Sequence, residues 1–396
     1  MILFFGSGIS YASGGPSVGD IQDALDLTKG SALRTACRDL RVGQEEDPHE
    51  DPTDADVRVF LSAVRHVDQA LLQQMGFSWS VHSQTYRATG AIYRQAPNYE
   101  SLFGICEEIA DCRYGLSDLT TAVAMLHRID QFVSRDGPRA PVMARLHRLI
   151  ALADVAGTLI RRTVLRLLSG LRPKRLELVG RLCNERSFGS TTIITLNHDL
   201  LVEKQLASDG IPYVNGFKTG RGAAASFRGF NRIIDTHHPL LLKPHGSIDW
   251  WKLSRPDGST DVLCDAAESR SSLRMVSDSD ALPLFLTGTS KPLMYHSGIF
   301  AKAAEAVQEA LATNDTMIMS GYGWADTAMN WKIQAWLGDH PRRRLILLHP
   351  SLDELSAGSL QFAESHSGWL RRGQLVQIPK FLMDVTADEA TAAVKS

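Results

Sequence analysis

At 396 residues, 44% hydrophobic and 22% charged, the chain is long enough to bury a large core and to divide into two lobes. A formal net charge of -2 argues against a surface built as a whole for nucleic acid, and no apolar run reaches the length of a membrane span. Five cysteines, Cys37, Cys106, Cys112, Cys183 and Cys264, are an odd number without a C-x-x-C pair, so they support neither a disulfide framework nor a structural zinc site and read as reduced, buried thiols. Met1 to Phe5 lacks the charged leader and long apolar core of a signal peptide, which makes the cytoplasm the expected compartment.

In chain order, Ile2 to Phe5 is a short buried strand that runs directly into Gly6, Ser7 and Gly8, the way a strand feeds a phosphate-binding turn. Tyr11 stands where G-x-G-x-x-G has its third glycine. The turn is therefore either a decayed dinucleotide fingerprint or a nucleotide loop of another class. A helix is predicted from Val18 to Leu27. Residues 44–56, QEEDPHEDPTDAD, hold seven carboxylates and two prolines and read as a solvated acidic loop. From Val57 to Arg186 the spacing of apolar residues is helical, as in VRVFLSAVRHVDQALLQQM and IALADVAGTLIRRTVLRLLSGL, so residues 31–186 form an inserted helical lobe between residues 1–30 and 187–396. The basic run RRTVLRLLSGLRPKR surrounds an apolar stripe and reads as one wet helix face rather than a nucleic-acid site.

After Ser190 the pattern changes. TTIITLNHDL, HPLLLKPHGSIDW, TMIMSGYGWADT and RRRLILLHPS are each a run of apolar residues followed at once by Asn, His, Asp or Gly, and helices such as AKAAEAVQEALA separate them. The fold class is α/β: a doubly wound, mostly parallel Rossmann-like sheet. In such a sheet ligands bind outside the carboxyl ends of the strands, which would gather all four polar clusters and the GSGIS turn around one crevice. His237 and His238 are adjacent and lack carboxylates at ligand spacing, so no metal site is expected.

Four segments carry a resemblance. GSGIS with SGGP resembles the sirtuin loop G-A-G-x-S followed by S-G-x-P; TLNHD, Thr195 to Asp199, resembles T-Q-N-x-D; KPHGSIDW resembles the strand ending in His-Gly; and SGYGWAD stands at the place of the G-T-S turn, with Leu345 to Pro350 as the last nucleotide-side strand. GTSK, Gly288 to Lys291, matches G-T-S literally, but Gly321 is followed by the helix and strand that a last βαβ unit requires. The zinc cysteines of a protein-deacylating sirtuin are missing, Gly19 falls where its arginine would be, and Leu196 replaces its glutamine. These departures resemble the bacterial sirtuin-like NAD-hydrolysing effectors of antiphage defence.

That resemblance implies NAD as substrate, no metal, a homo-oligomer and a HerA-type hexameric ATPase as partner. It implies that Asn197 positions the ribose and a water, that His245 is the general base, and that Asp199 accepts from the nicotinamide carboxamide. Gly6, Ser7 and Gly8 would bring backbone to the pyrophosphate while Ser10 donates its hydroxyl; Gly321, Tyr322, Gly323 and Asp326 would border the adenosine side, with His349 beside the base or its ribose. Each residue has a plainer reading: Asn197 as a helix cap, His245 as a core histidine, and Gly321 and Gly323 as a tight turn. Three functions stay open: an NAD glycohydrolase, an NAD-dependent protein deacylase, and a non-catalytic scaffold that binds NAD or ADP-ribose.

Overall fold

The computed structural model describes residues 1–26, 55–64, 78–80, 85–88, 91–95, 99–111, 129, 142–219, 225–230, 238–254, 260–264, 283–287, 295–296 and 298–395. The acidic run before residue 55, the GTSK turn, His237, Cys37 and Cys112 lie outside these residues. In chain order the strands are β1 (Ile2–Phe5), β2 (Ser78–Ser80), β3 (Thr85–Ala88), β4 (Ala91–Gln95), β5 (Thr192–Thr195), β6 (Phe217–Thr219) and β7 (Ala225–Phe227), then β8 (Leu240–Leu242), β9 (Gly246–Ser254), β10 (Thr260–Cys264), β11 (Pro283–Phe285), β12 (Thr316–Ser320), β13 (Arg344–Leu348) and β14 (Leu375–Ile378). The helices are α1 (Val18–Asp26), α2 (Tyr99–Asp111), α3 (Val142–Ser169), α4 (Glu177–Cys183), α5 (Leu201–Ser208), α6 (Gly298–Thr313), α7 (Thr327–Asp339), α8 (Leu352–Gly358), α9 (Leu360–Arg371) and α10 (Ala387–Lys395). A further helical stretch covers residues 55–64.

The continuous apolar runs become the strands of one parallel sheet, ordered β14-β13-β12-β1-β5-β8. β1 is buried along its whole length because both faces of the sheet are covered, and its side chains alternate between them. Leu3 and Phe5 face a core shared with Ile21 and Leu25 of α1, Phe103 of α2, Leu159 of α3 and Leu201 of α5. Ile2 and Phe4 face the other core, with Val307 of α6, Ile333 and Trp336 of α7 and Trp369 of α9. Each such side chain contributes about 1.5–3 kcal/mol of burial. α2 and α3 pack on each other and on α1 within the core on this face, and Arg161 of α3 lies 5.0 Å over the Phe103 ring to join them.

Three parts differ from the sequence expectation. The stretch read as wholly helical contains an antiparallel meander, β2-β3-β4, and β14 follows the strand expected to be last. From the segments on either side of β8, between β5 and β12, the chain also builds a five-stranded antiparallel sheet, ordered β11-β9-β10-β7-β6, with its own small core of Trp250, Leu286, Tyr295, Ile299 and Phe300. The thiols of Cys106, Cys183 and Cys264 are unpaired; burial pushes Cys106 and Cys264 up, and Cys183 up to about 12.

From β1 the chain winds outward through β5 to β8, then returns to β12 beside β1 and winds the other way through β13 to β14. The switch point lies between β1 and β12, and the two loops leaving it touch. Gly6 N donates to Ser320 O at 3.0 Å and Gly8 N donates to Gly321 O at 2.9 Å. A Cβ on Gly321 would stand 2.5 Å from Ile9 N, and the residue sits at φ +67°; a Cβ on Gly8 would stand 2.7 Å from Gly321 Cα. The close approach that these glycines permit is thus loop against loop, rather than only loop against phosphate. Gly321→Ala is expected to lower unfolding stability by about 2–4 kcal/mol, adding the left-handed cost to the overlap. Denaturant titration checks this, and a change under about 0.5 kcal/mol would contradict the contact.

Candidate functional site

Every strand of the parallel sheet from β13 to β8 ends in a residue singled out by the sequence. Gly6 leaves β1, Asn197 follows β5, His245 follows β8, Gly321 leaves β12 and His349 follows β13. The parallel register brings these ends to one edge, with Phe5 opposite both Thr195 and Ser320, and Ser320 opposite Leu348.

At the β1–β5 ends three side chains form one chain of hydrogen bonds. Asn197 Nδ2 donates to Gly6 O at 3.1 Å and to Ser10 Oγ at 3.3 Å, and Ser10 Oγ donates to Asp199 Oδ2 at 2.7 Å. All three are buried, which strengthens such a chain. Asn197 does not cap α5; Asp199 Oδ1 accepts the Leu201 amide at 3.0 Å instead. The Asn197 amide donors are committed to protein acceptors, so Oδ1 is its group for a ligand. Both Asp199 oxygens are engaged by protein donors, so accepting from a carboxamide would require sharing one of them.

His245 is 4% exposed, and Leu286 N donates to its carbonyl at 2.7 Å. Gly246 after it sits at φ +78°, where a Cβ would stand 2.4 Å from Leu284 O, so the strand can turn directly behind the histidine only with glycine. Its Nε2 lies 2.9 Å from Asp326 Oδ2, the two side chains being 4% and 8% exposed. Asp326, expected at the adenosine side, therefore faces His245.

A pocket lies where the two glycine loops cross. It has a volume of about 410 Å³; Gly8, Ser320, Gly321, Tyr322, Gly323 and His349 line its floor and rim, and Ile9, Leu176, Leu355 and Phe381 supply apolar wall. Tyr11 is 66% exposed and Phe381 49%, both on this pocket, and Arg175 reaches it while bonded to Asp384 at 2.8 Å. Asn197, Asp199 and His245 are not among the lining residues. Apolar walls with a polar rim suit a purine and its ribose. An added Cβ on Gly323 meets nothing within 4 Å, so this edge is open. The Gly6 and Gly8 amides are spent on Ser320 and Gly321, which leaves exposed Ser7 as the loop's donor for a phosphate. The loop continues as a 3-10 turn, Ser7–Ser13, before α1 begins. Among the described residues no group of three or more His, Cys, Asp or Glu side chains could hold a metal ion, and no helix is long and apolar enough to cross a membrane.

Sequence reasoning passed over Lys243, although a lysine between LLL and His245 was the signal. Its ammonium, 3% exposed, donates to Asp199 O and to Glu203 Oε1 at 2.8 Å, tying the β8 end to the β5 loop. Burial disfavours its charge, but Glu203, Asp249 and Asp199 outweigh that and hold its pKa above the ordinary lysine value. Lys243→Met leaves Glu203 buried without its cation and is expected to cost about 3–5 kcal/mol. Thermal and denaturant unfolding measure it; a loss under about 1 kcal/mol would show that the ammonium is not what holds these loops together.

Residues 191–366, under half of the chain, match a family model described as SIR2-like domain. The match takes in Asn197, His245, Asp326 and His349 and leaves out β1 and its glycine loop. No curated protein matches the chain significantly. A solved structure described as "Structural Basis for the Mechanism and Regulation of Sir2 Enzymes" aligns over 100% of this chain and 92% of its own, at 10% identity and a TM-score of 0.38, which is too weak to carry an argument. The stretch that supplies β5, β8, β12 and β13, and with them most of the candidate site, is thus similar to the SIR2-like domain family.

Proposed function

We propose that the protein is an NAD-dependent enzyme that binds NAD across the β1–β12 switch point and hydrolyses its nicotinamide–ribose bond. The observation that carries this reading is the convergence of buried Asn197 and His245, at adjacent strand ends, beside an apolar pocket at the crossing of the two glycine loops. The adenosine half occupies the pocket between Ile9, His349 and Phe381, and the nicotinamide ribose reaches toward Asn197. NAD supplies the bond that breaks, between ribose C1′ and the pyridinium nitrogen. As nicotinamide leaves with the bonding pair, positive charge builds on the ribose, and water adds to C1′. Asn197 Oδ1 accepts a hydrogen bond from that water or the ribose, and His245 takes the water's proton. The products are nicotinamide, ADP-ribose and a proton, so the atoms balance.

Nicotinamide release from NAD, assayed beside deacylation of an acyl-lysine peptide, tests this against the two other readings. Hydrolysis without deacylation supports the proposal, deacylation points to the second function, and NAD binding without turnover points to a scaffold. Asn197→Ala and His245→Ala should each lower turnover by about 10²-fold or more. Because Asn197 donates to Gly6 and Ser10, Asn197→Ala also costs about 1 kcal/mol of stability, so turnover is normalised to folded protein. Two folded variants that turn over NAD near the parent rate would refute the assignment.

An unregulated NAD hydrolase would drain its own cell. We therefore propose gating by assembly, as a homo-oligomer joined by a HerA-type ATPase in an antiphage role; the sequence resemblance alone supports this. Sedimentation at several concentrations, run beside the activity assay, measures it. A monomer that is fully active alone would overturn it.

A further inference from the structure

The loop from Gly321 to Asp326 is held from several sides. Trp324 sits at φ +55°, a conformation that is strained for a residue with a Cβ and persists only where the surroundings dictate it. Its ring, 1% exposed, packs against Phe362 at 5.0 Å, Tyr322 at 5.4 Å and Trp369 at 5.7 Å. Asn330 braces the same loop: its Nδ2 donates to Trp324 O at 2.9 Å and to Gln361 Oε1 at 2.6 Å, and its Oδ1 accepts from Tyr322 Oη at 2.6 Å.

The product of this bracing is the place of one carboxylate. Asp326 Oδ1 accepts the Met329 amide at 2.9 Å and caps α7, while Oδ2 lies 2.9 Å from His245 Nε2, close though off the ideal hydrogen-bond line. A cap needs only a polar oxygen, and serine or asparagine would serve. A buried carboxylate beside an imidazole does something more.

We propose that Asp326 is the positioning residue for His245: its Oδ2 accepts from Nε2–H, which fixes the ring's orientation and places the basic lone pair of the neutral imidazole on Nδ1. The anion also offsets the positive charge that the ring acquires on taking a proton. This rests on the reading of His245 as the base. The other groups facing the ring do not compete for the role. Tyr295 is stacked at 6.1 Å and His198 stands at 6.3 Å. Burial, and then the charge of Asp326, push the Tyr295 and Tyr322 hydroxyls well up, so both remain neutral near pH 7.

Asp326→Asn keeps the cap and removes the charge. In ligand-free protein labelled with 15N-histidine, the His245 signals are identified by their loss in His245→Gln and read at a pH where the spectrum shows the ring neutral. The parent should show a single Nε2–H tautomer, and Asp326→Asn should lose that preference. In the NAD assay Asp326→Asn should lower kcat by at least about 10-fold with KM within about threefold, Asp326→Glu should recover part of it, and adding Asp326→Asn to His245→Ala should cost nothing further. A parent His245 in the Nδ1–H tautomer, or a double variant in which the two losses multiply, would overturn the proposal. If the parent releases no nicotinamide, the hydrolase reading fails, and the tautomer measurement still decides the role of Asp326.

Discussion

The contact between two loops fixes this site. Gly6 and Gly8 of one loop donate to Ser320 and Gly321 of the other, and the fit is close enough that a single carbon on Gly8 or Gly321 would overlap backbone. β1 and β12 are separated by more than three hundred residues of chain but are neighbours in the sheet, with Phe5 in register with Ser320. The winding of the sheet reverses there, so helices on the two sides diverge and a crevice opens beyond the strand ends. The glycine contact seals the floor of that crevice. It also uses the Gly6 and Gly8 amides, which a phosphate loop normally keeps for its ligand.

Buried polar groups then act as links between neighbouring strand ends. Asn197 reaches back to the β1 loop through Gly6 O and Ser10, and Lys243 reaches from β8 to the β5 loop through Asp199 O. Asp326 connects the β12 side to His245. The first two links make burial of their polar groups tolerable by satisfying them, and all three remove a freedom from a side chain at the site. Ligand binding then has fewer rotamers to fix.

The parallel sheet was legible because its central strands are unbroken apolar runs ending in Gly, Asn or His, as in IIT before Leu196 and Asn197, or MIMS before Gly321. The antiparallel sheet was not, because several of its strands are three residues long and too short for an alternation to register. β14, LVQI, follows a helix without any chemical residue at its tip to mark it. Asn197 and His245 could be singled out by their place at strand ends. The partner of His245 could not, since Asp326 is 81 residues further along and only the turn through Trp324, at an unusual φ, brings it back. Asp326 looked like a border residue of the nucleotide because its loop borders the pocket.

Strand β9 of the antiparallel sheet starts at Gly246, immediately after His245, and the β11 end of that sheet returns through Leu286, whose amide donates to the His245 carbonyl. His245 is thus gripped on both sides by one accessory layer, while Asn197 and the glycine loops belong to the main sheet. The same layer is tied to the β5 loop, where Ile248 N donates to the carbonyl of His198, the residue after Asn197, at 3.0 Å. His245 and Asn197 are therefore held against one seam, and a shift of the accessory layer is passed to both.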